Sequence, residues 1–144
     1  MAIYKTKSAE ETLELGRRLA ESFRGGEVLA LRGDLGAGKT VLARGIARGL
    51  GIKKPITSPT FVLMKVYPVK NHSKIKNLVH VDAYRLEGGA SVDSIGLAEY
   101  VGRGDTVCLI EWAEKIGTAL PVDAWQVDFK AGEVEKERVI GIEK

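Results

Sequence analysis

Residues 28–40 read "VLALRGDLGAGKT". The run 28–32, apolar but for its last residue and without alternation, has the pattern of a strand buried on both faces. Glycines at 33, 36 and 38 then break the pattern. A stripe of Leu42, Ile46 and Leu50 follows at helical spacing and stops at Gly51. A buried strand, a tight glycine turn and a helix in direct succession open a crossover unit. That places the chain in the α/β class, with strands that run parallel.

The flanks extend this frame. "AIYKTK" (2–7) reads as a short strand, and Ser8 with Glu11 forms a capping box for a helix reaching about Phe23. Leu13, Leu19, Ala20 and Phe23 supply its apolar face, and Gly25-Gly26 ends it. Downstream, "TFVLMKVYPV" (60–69) and "NLVHVDAY" (77–84) read as a hairpin joined through "KNHSK". Residues 91–101 read as a short helix opened by Ser91, and "TVCLIEW" (106–112) as another strand. "AWQVDF" (124–129) and "KERVIGIE" (136–143) flank the turn "KAGEVE", a second hairpin. The expectation is one P-loop NTPase-like α/β domain over residues 1–144, with a mixed β-sheet and helices on both faces.

Bulk properties narrow the setting. A hydrophobic content of 44% with 28% charged residues is that of an ordinary globular chain. No run approaches the roughly 20 apolar residues of a membrane helix, and the N-terminus lacks a signal-peptide layout. The single cysteine, Cys108, lies inside an apolar run and reads as a buried hydrophobe; a reducing cytoplasm is the expected compartment. The net charge of +3 conceals an uneven distribution: residues 35–81 carry nine basic side chains and no acid. Such a window attracts phosphates or acidic partners if its members share a surface.

Residues 33–40, "GDLGAGKT", fit the phosphate-loop (Walker A) pattern G-x-x-x-x-G-K-[ST] between a strand and a helix, the context that its mechanism requires. The candidate nucleotide-binding residues are Gly33, Asp34, Leu35, Gly36, Ala37, Gly38, Lys39, Thr40 and the adjoining Val41. The glycines let backbone N–H groups converge on phosphate oxygens at the positive end of the helix. Lys39 would reach the β- and γ-phosphates of ATP, and Thr40 would ligate Mg²⁺. Asp34 is out of character there, because a carboxylate beside a triphosphate is repelled; it is expected to point away or to contact a water or the ion.

Two apolar runs end on acids, "LVHV" on Asp82 and "VCLI" on Glu111. With Thr40 these are the candidate metal ligands. One acid would serve the Mg²⁺ shell and the other the attacking water. The longer stem of a glutamate suits reach toward water and the shorter stem of an aspartate suits a fixed outer-shell contact, yet the assignment stays open. His80 shares a face with Asp82 and is expected to hydrogen-bond near the site or to pack, since Mg²⁺ prefers oxygen. "TSPTF" (57–61) is a hydroxyl-rich loop in which Ser58 or Thr60 could sense the γ-phosphate.

Together "GDLGAGKT", "TSPTF", "HVDAYRL" and "IEWAEK", in this order, resemble the bacterial TsaE (YjeE) family; the last two are its specific marks. The resemblance implies a P-loop ATPase with ATP and Mg²⁺ on Lys39 and Thr40, Thr60 in a switch-like loop, and Trp112 near the nucleotide. Asp82 and Glu111 would both be needed for hydrolysis. It also implies a role in forming N6-threonylcarbamoyladenosine at position 37 of tRNAs reading A-starting codons. The partners would be TsaD and TsaB, which perform the modification, with tRNA met only indirectly through that complex. Hydrolysis would be weak without the partners.

Three other readings differ in what they need. A small-molecule P-loop kinase requires an acceptor pocket and usually an arginine-bearing lid; after Asp82 only Arg85, Arg103 and Arg138 remain. A GTPase requires an N-K-x-D element, which the chain lacks. A direct RNA-binding module would use the basic 35–81 window and bind tRNA in a salt-sensitive way.

Overall fold

The computed structural model describes residues 1–34, 38–57, 64–83, 96–117 and 120–144. The strands are β1 (Ala2–Thr6), β2 (Val28–Arg32), β3 (Met64–Pro68), β4 (Asn77–Asp82), β5 (Thr106–Glu111), β6 (Trp125–Ala131) and β7 (Arg138–Glu143). The α-helices are α1 (Ala9–Glu21) and α2 (Lys39–Gly49). The sheet order is β1-β7-β6-β2-β5-β4-β3. β2 lies at its centre, parallel to both β5 and β6, and β4 runs parallel to β5. β3 and β7 are antiparallel to their hairpin partners, and β1 is antiparallel to β7. This is the mixed sheet that the sequence predicts.

Alternation along the central strands separates two cores. Leu29, Leu31, Leu78, Val107 and Leu109 face α1 and α2 in one cluster. Val28, Ala30, Val79, Val81, Cys108 and Ile110 form the other. Helical segments cover both faces, but unequally. Among the described residues both α-helices lie on the first, and the second is covered by 3-10 turns at Leu97–Glu99 and Ala113–Lys115. The proposed helix 91–101 is described only from 96 onward, where it is the first of those turns; Ser91 lies outside the described residues.

Helix α1 begins as its capping box requires: the Ser8 hydroxyl accepts from the Glu11 N–H at 3.1 Å. The Glu11 carboxylate reaches back one residue further than expected, to the Lys7 N–H at 2.9 Å. A buried hydrogen bond of 2.6 Å between the Thr6 and Thr12 hydroxyls ties β1 to α1. The innermost stripe of α1 is Thr12, Gly16 and Ala20, with Leu15 and Leu19 partly buried at its sides and Leu13 only half-buried. Small residues occupy the stripe because α2 crosses in backbone contact. A Cβ on Gly16 would stand 2.4 Å from the Leu42 carbonyl oxygen, and one on Gly45 2.0 Å from that of Leu13.

Candidate functional site

The parallel strands β2, β4 and β5 end together at one edge of the sheet. Asp82 and Glu111 are register partners there, and Glu111 also pairs with Leu31 of β2. The connections after β2 and β5 leave in opposite directions, β2 toward β3 and β4 on one side and β5 across to β6 on the other. Crevices at such divergences are where open α/β sheets take ligands. Gly33 and Asp34 follow β2 at this edge, and Gly38, Lys39 and Thr40 open α2 beside it. Gly38 adopts φ 103°, a left-handed conformation suited to glycine, and caps the start of α2. Leu35, Gly36 and Ala37 lie outside the described residues, as do Ser58 and Thr60.

Lys39, the first residue of α2, is buried at 4% exposure. Its ammonium donates to the carbonyl oxygens of Gly33 and, at 3.4 Å, of Asp34. The same ammonium stands 3.8 Å from the centroid of the Trp112 ring, a cation–π contact. Burial pushes the Lys39 pKa down, while the charges of Glu111, Glu114, Asp82 and Asp34 oppose that shift. The Asp34 side chain is exposed, so the motif uses this residue through its backbone. Trp112 holds φ 57° and ψ 42°, a left-handed conformation unusual for a bulky residue. It turns the chain from β5 into the 3-10 turn at Ala113–Lys115 and sets the indole against Lys39.

The acids differ in their surroundings. Glu111 is buried at 4% exposure. The Thr40 hydroxyl lies 3.1 Å and 3.2 Å from its two oxygens. His80 Nε2 lies 2.5 Å from Glu111 Oε2, and the imidazole is fully buried. His80 therefore hydrogen-bonds within the site, one of the two expected outcomes. Asp82 is half-buried and more open to solvent. A hydroxyl and two carboxylates form a hard-oxygen set of the kind that Mg²⁺ prefers. Among the described residues no group of three His, Cys, Asp or Glu converges as a metal cage, so further ligands would come from phosphate and water.

Beside this cluster is a cavity of about 280 Å³, lined by Ser8, Glu10, Gly38, Val41, Lys136 and Arg138. Ser8 read only as a helix cap, and Lys136 and Arg138 carried no binding signal in the sequence; they meet Val41 because β1 and β7 lie on the β6 side of β2. A larger groove of about 470 Å³ lies between β1 and α1, lined by residues including Tyr4, Glu14 and Arg18, none from the 33–40 loop. The basic window spreads out. Lys39 is its one buried member among the described residues. Arg44 donates to the Ile56 carbonyl and Lys65 to the Thr57 hydroxyl, each at 3.0 Å. Arg48, Lys53, Lys54, Lys70, Lys74 and Lys76 are exposed on the far half of α2, the loop beyond it and the β3–β4 connection.

A mixed α/β sheet whose strand-end acids adjoin Lys39 and Thr40 at the start of α2 defines the class: a P-loop NTPase-like α/β protein. Residues 6–140 match the family described as TsaE, threonylcarbamoyl adenosine biosynthesis protein TsaE. The chain belongs to the TsaE family. It is 41% identical over 135 residues to the Bacillus subtilis tRNA threonylcarbamoyladenosine biosynthesis protein TsaE, covering 93% of this chain and 81% of that one. Against the protein of the same name from Treponema pallidum the identity is 41% over 116 residues, covering 81% and 82%. The crystal structure of Bacillus subtilis YdiB superposes with a TM-score of 0.75 at 34% identity, covering 96% of this chain and 82% of that one. Among the described residues, no helix is long and apolar enough to cross a membrane.

Proposed function

We propose that the chain is a Mg²⁺-dependent ATPase supporting formation of N6-threonylcarbamoyladenosine at position 37 of tRNAs reading A-starting codons. It works in the cytoplasm with the TsaD–TsaB pair, which performs the modification, and meets tRNA through that complex. The observation that carries this reading is the hydrogen bond from Thr40 to Glu111, made across 71 residues of sequence at the edge where the glycine loop ends. Thr40 spends its proton on the carboxylate and keeps its oxygen lone pairs for a cation.

In this mechanism Glu111, deep and doubly held, fixes the ion shell with Thr40, and Asp82, nearer solvent, orients the attacking water. Depth outweighs stem length, which by itself suggests the opposite assignment. Lys39 exchanges the Gly33 and Asp34 carbonyls for phosphate oxygens, the stronger, charge-assisted acceptors. Bound Mg²⁺ would neutralise charge on the β- and γ-phosphates. Trp112 keeps a π-face beside Lys39, and the cavity between Ser8 and Arg138 takes the ribose and adenine. Thr60, outside the described residues, would sense the γ-phosphate.

The test is ATP hydrolysis by the purified chain with and without purified TsaD–TsaB. The pair is expected to raise the rate at least about tenfold, as trans-acting groups do in other NTPases. Equal rates in both arms would remove the partner dependence, and no hydrolysis in either would remove the ATPase reading.

A further inference from the structure

We propose that His80 is the positioning residue of Glu111, holding its carboxylate toward Thr40 and away from Lys39. This rests on the Mg²⁺-ATPase reading above and adds to it a residue from the middle of β4. A glutamate side chain has three rotatable bonds, so a buried Glu111 needs more than one contact to keep a single direction. Thr40 holds it from α2 and His80 from β4, and the contact at 2.5 Å occupies the inner side of Oε2. Without that contact Lys39 competes for the carboxylate, since Glu111 raises the Lys39 pKa more than any other neighbouring charge does.

The tautomer follows from the surroundings. His80 Nδ1 is buried without a hydrogen-bond partner among the described residues. A proton there would leave a buried donor unsatisfied, while a bare lone pair is the less costly orphan. The ring therefore carries its proton on Nε2 and donates to Glu111 Oε2. The arrangement parallels pairs in metal sites in which a group that never touches the ion sets the direction of one that does. Lys65 is the β3 register partner of His80, but its ammonium is taken by the Thr57 hydroxyl at 3.0 Å.

The experiment compares wild type, His80→Gln and His80→Leu. Glutamine can present an N–H close to the position of Nε2; leucine cannot. ADP affinity is measured with and without Mg²⁺ by calorimetry, after circular dichroism has established folding. His80→Leu is expected to keep its Mg²⁺-free affinity and to lose about tenfold of the Mg²⁺-dependent increment, while His80→Gln stays within about threefold of wild type. In the metal-free wild type, histidine-ring NMR is expected to find the proton on Nε2, with a resonance that moves in Glu111→Ala.

A full Mg²⁺ increment in His80→Leu, or a ring protonated on Nδ1, would overturn the inference while leaving the ATPase reading intact. A wild-type chain with no Mg²⁺-dependent nucleotide binding would overturn both. Should His80→Leu fail to fold, loss of the increment in His80→Gln or an Nδ1-protonated ring counts against the role; a retained increment with the Nε2 proton counts for it.

Discussion

Asp82 and Glu111 stand side by side in register at the carboxyl ends of β4 and β5; Glu111 is buried and bonded to Thr40 of α2 and His80 of β4, while Asp82 is half-buried. Neighbouring like charges on adjoining strands repel each other, so the pair is best accommodated with a cation between or above it.

The two acids should therefore fail differently. Glu111→Ala is expected to lose the Mg²⁺-dependent part of nucleotide affinity, by about tenfold or more, because Thr40 loses the carboxylate that orients it. Asp82→Ala should bind Mg²⁺-ATP within a few-fold of wild type and lose about 10²-fold or more in hydrolysis. Titration calorimetry with a single-turnover assay separates the two; equal losses of binding in both variants would refute this division.

Lys39 is buried at some cost to the fold. Burial depresses its pKa from the ordinary 10.5. Below the folded value both states carry the proton, and the folded chain bears the full desolvation cost. As pH rises from there toward 10.5 the unfolded state holds more protons, so stability rises. Lys39→Met should abolish nucleotide binding and raise the ligand-free Tm by about 2–4 °C at neutral pH, equivalent to about 1 kcal/mol. The gap should narrow as pH rises above the folded pKa, as differential scanning calorimetry across pH would establish.

The α1–α2 crossing should tolerate no added methyl group. Gly45→Ala drives a Cβ to 2.0 Å from the Leu13 carbonyl oxygen, backbone against backbone. We expect destabilisation of about 3 kcal/mol, the upper end for overpacking, read as a lower urea midpoint. Gly51→Ala, with nothing within 4 Å of its Cβ but φ at +81°, should cost only about 1 kcal/mol of backbone strain.

Acid weakens the outer face of α1. Glu14 bonds Arg17 at 2.6 Å and 2.9 Å, and this holds its pKa at about 2 against the ordinary 4.5. The stabilisation is complete above 4.5 and is lost as pH falls through about 2. Because the pair is exposed, the effect is small and screened by salt. Glu14→Gln should lower Tm by about 1–2 °C at neutral pH and low salt, a difference that shrinks in about 1 M salt or at pH 2.

By itself the sequence determined the local grammar of this protein: a buried strand, a glycine turn and a helix at 28–50, a capped α1, two hairpins, and two apolar runs ending on Asp82 and Glu111. Those features are legible because hydrophobic period, caps and turn residues act over a few positions. Tertiary structure decided what those pieces meet. The inner stripe of α1 is Thr12, Gly16 and Ala20 because another helix backbone presses there, and no leucine pattern in α1 announces it. His80 and Thr40 reach Glu111 across 31 and 71 residues, and Ser8 reaches Arg138 from the opposite end of the chain. Strand order and register set those meetings, through pairings of backbone groups that carry no residue-specific mark in the sequence.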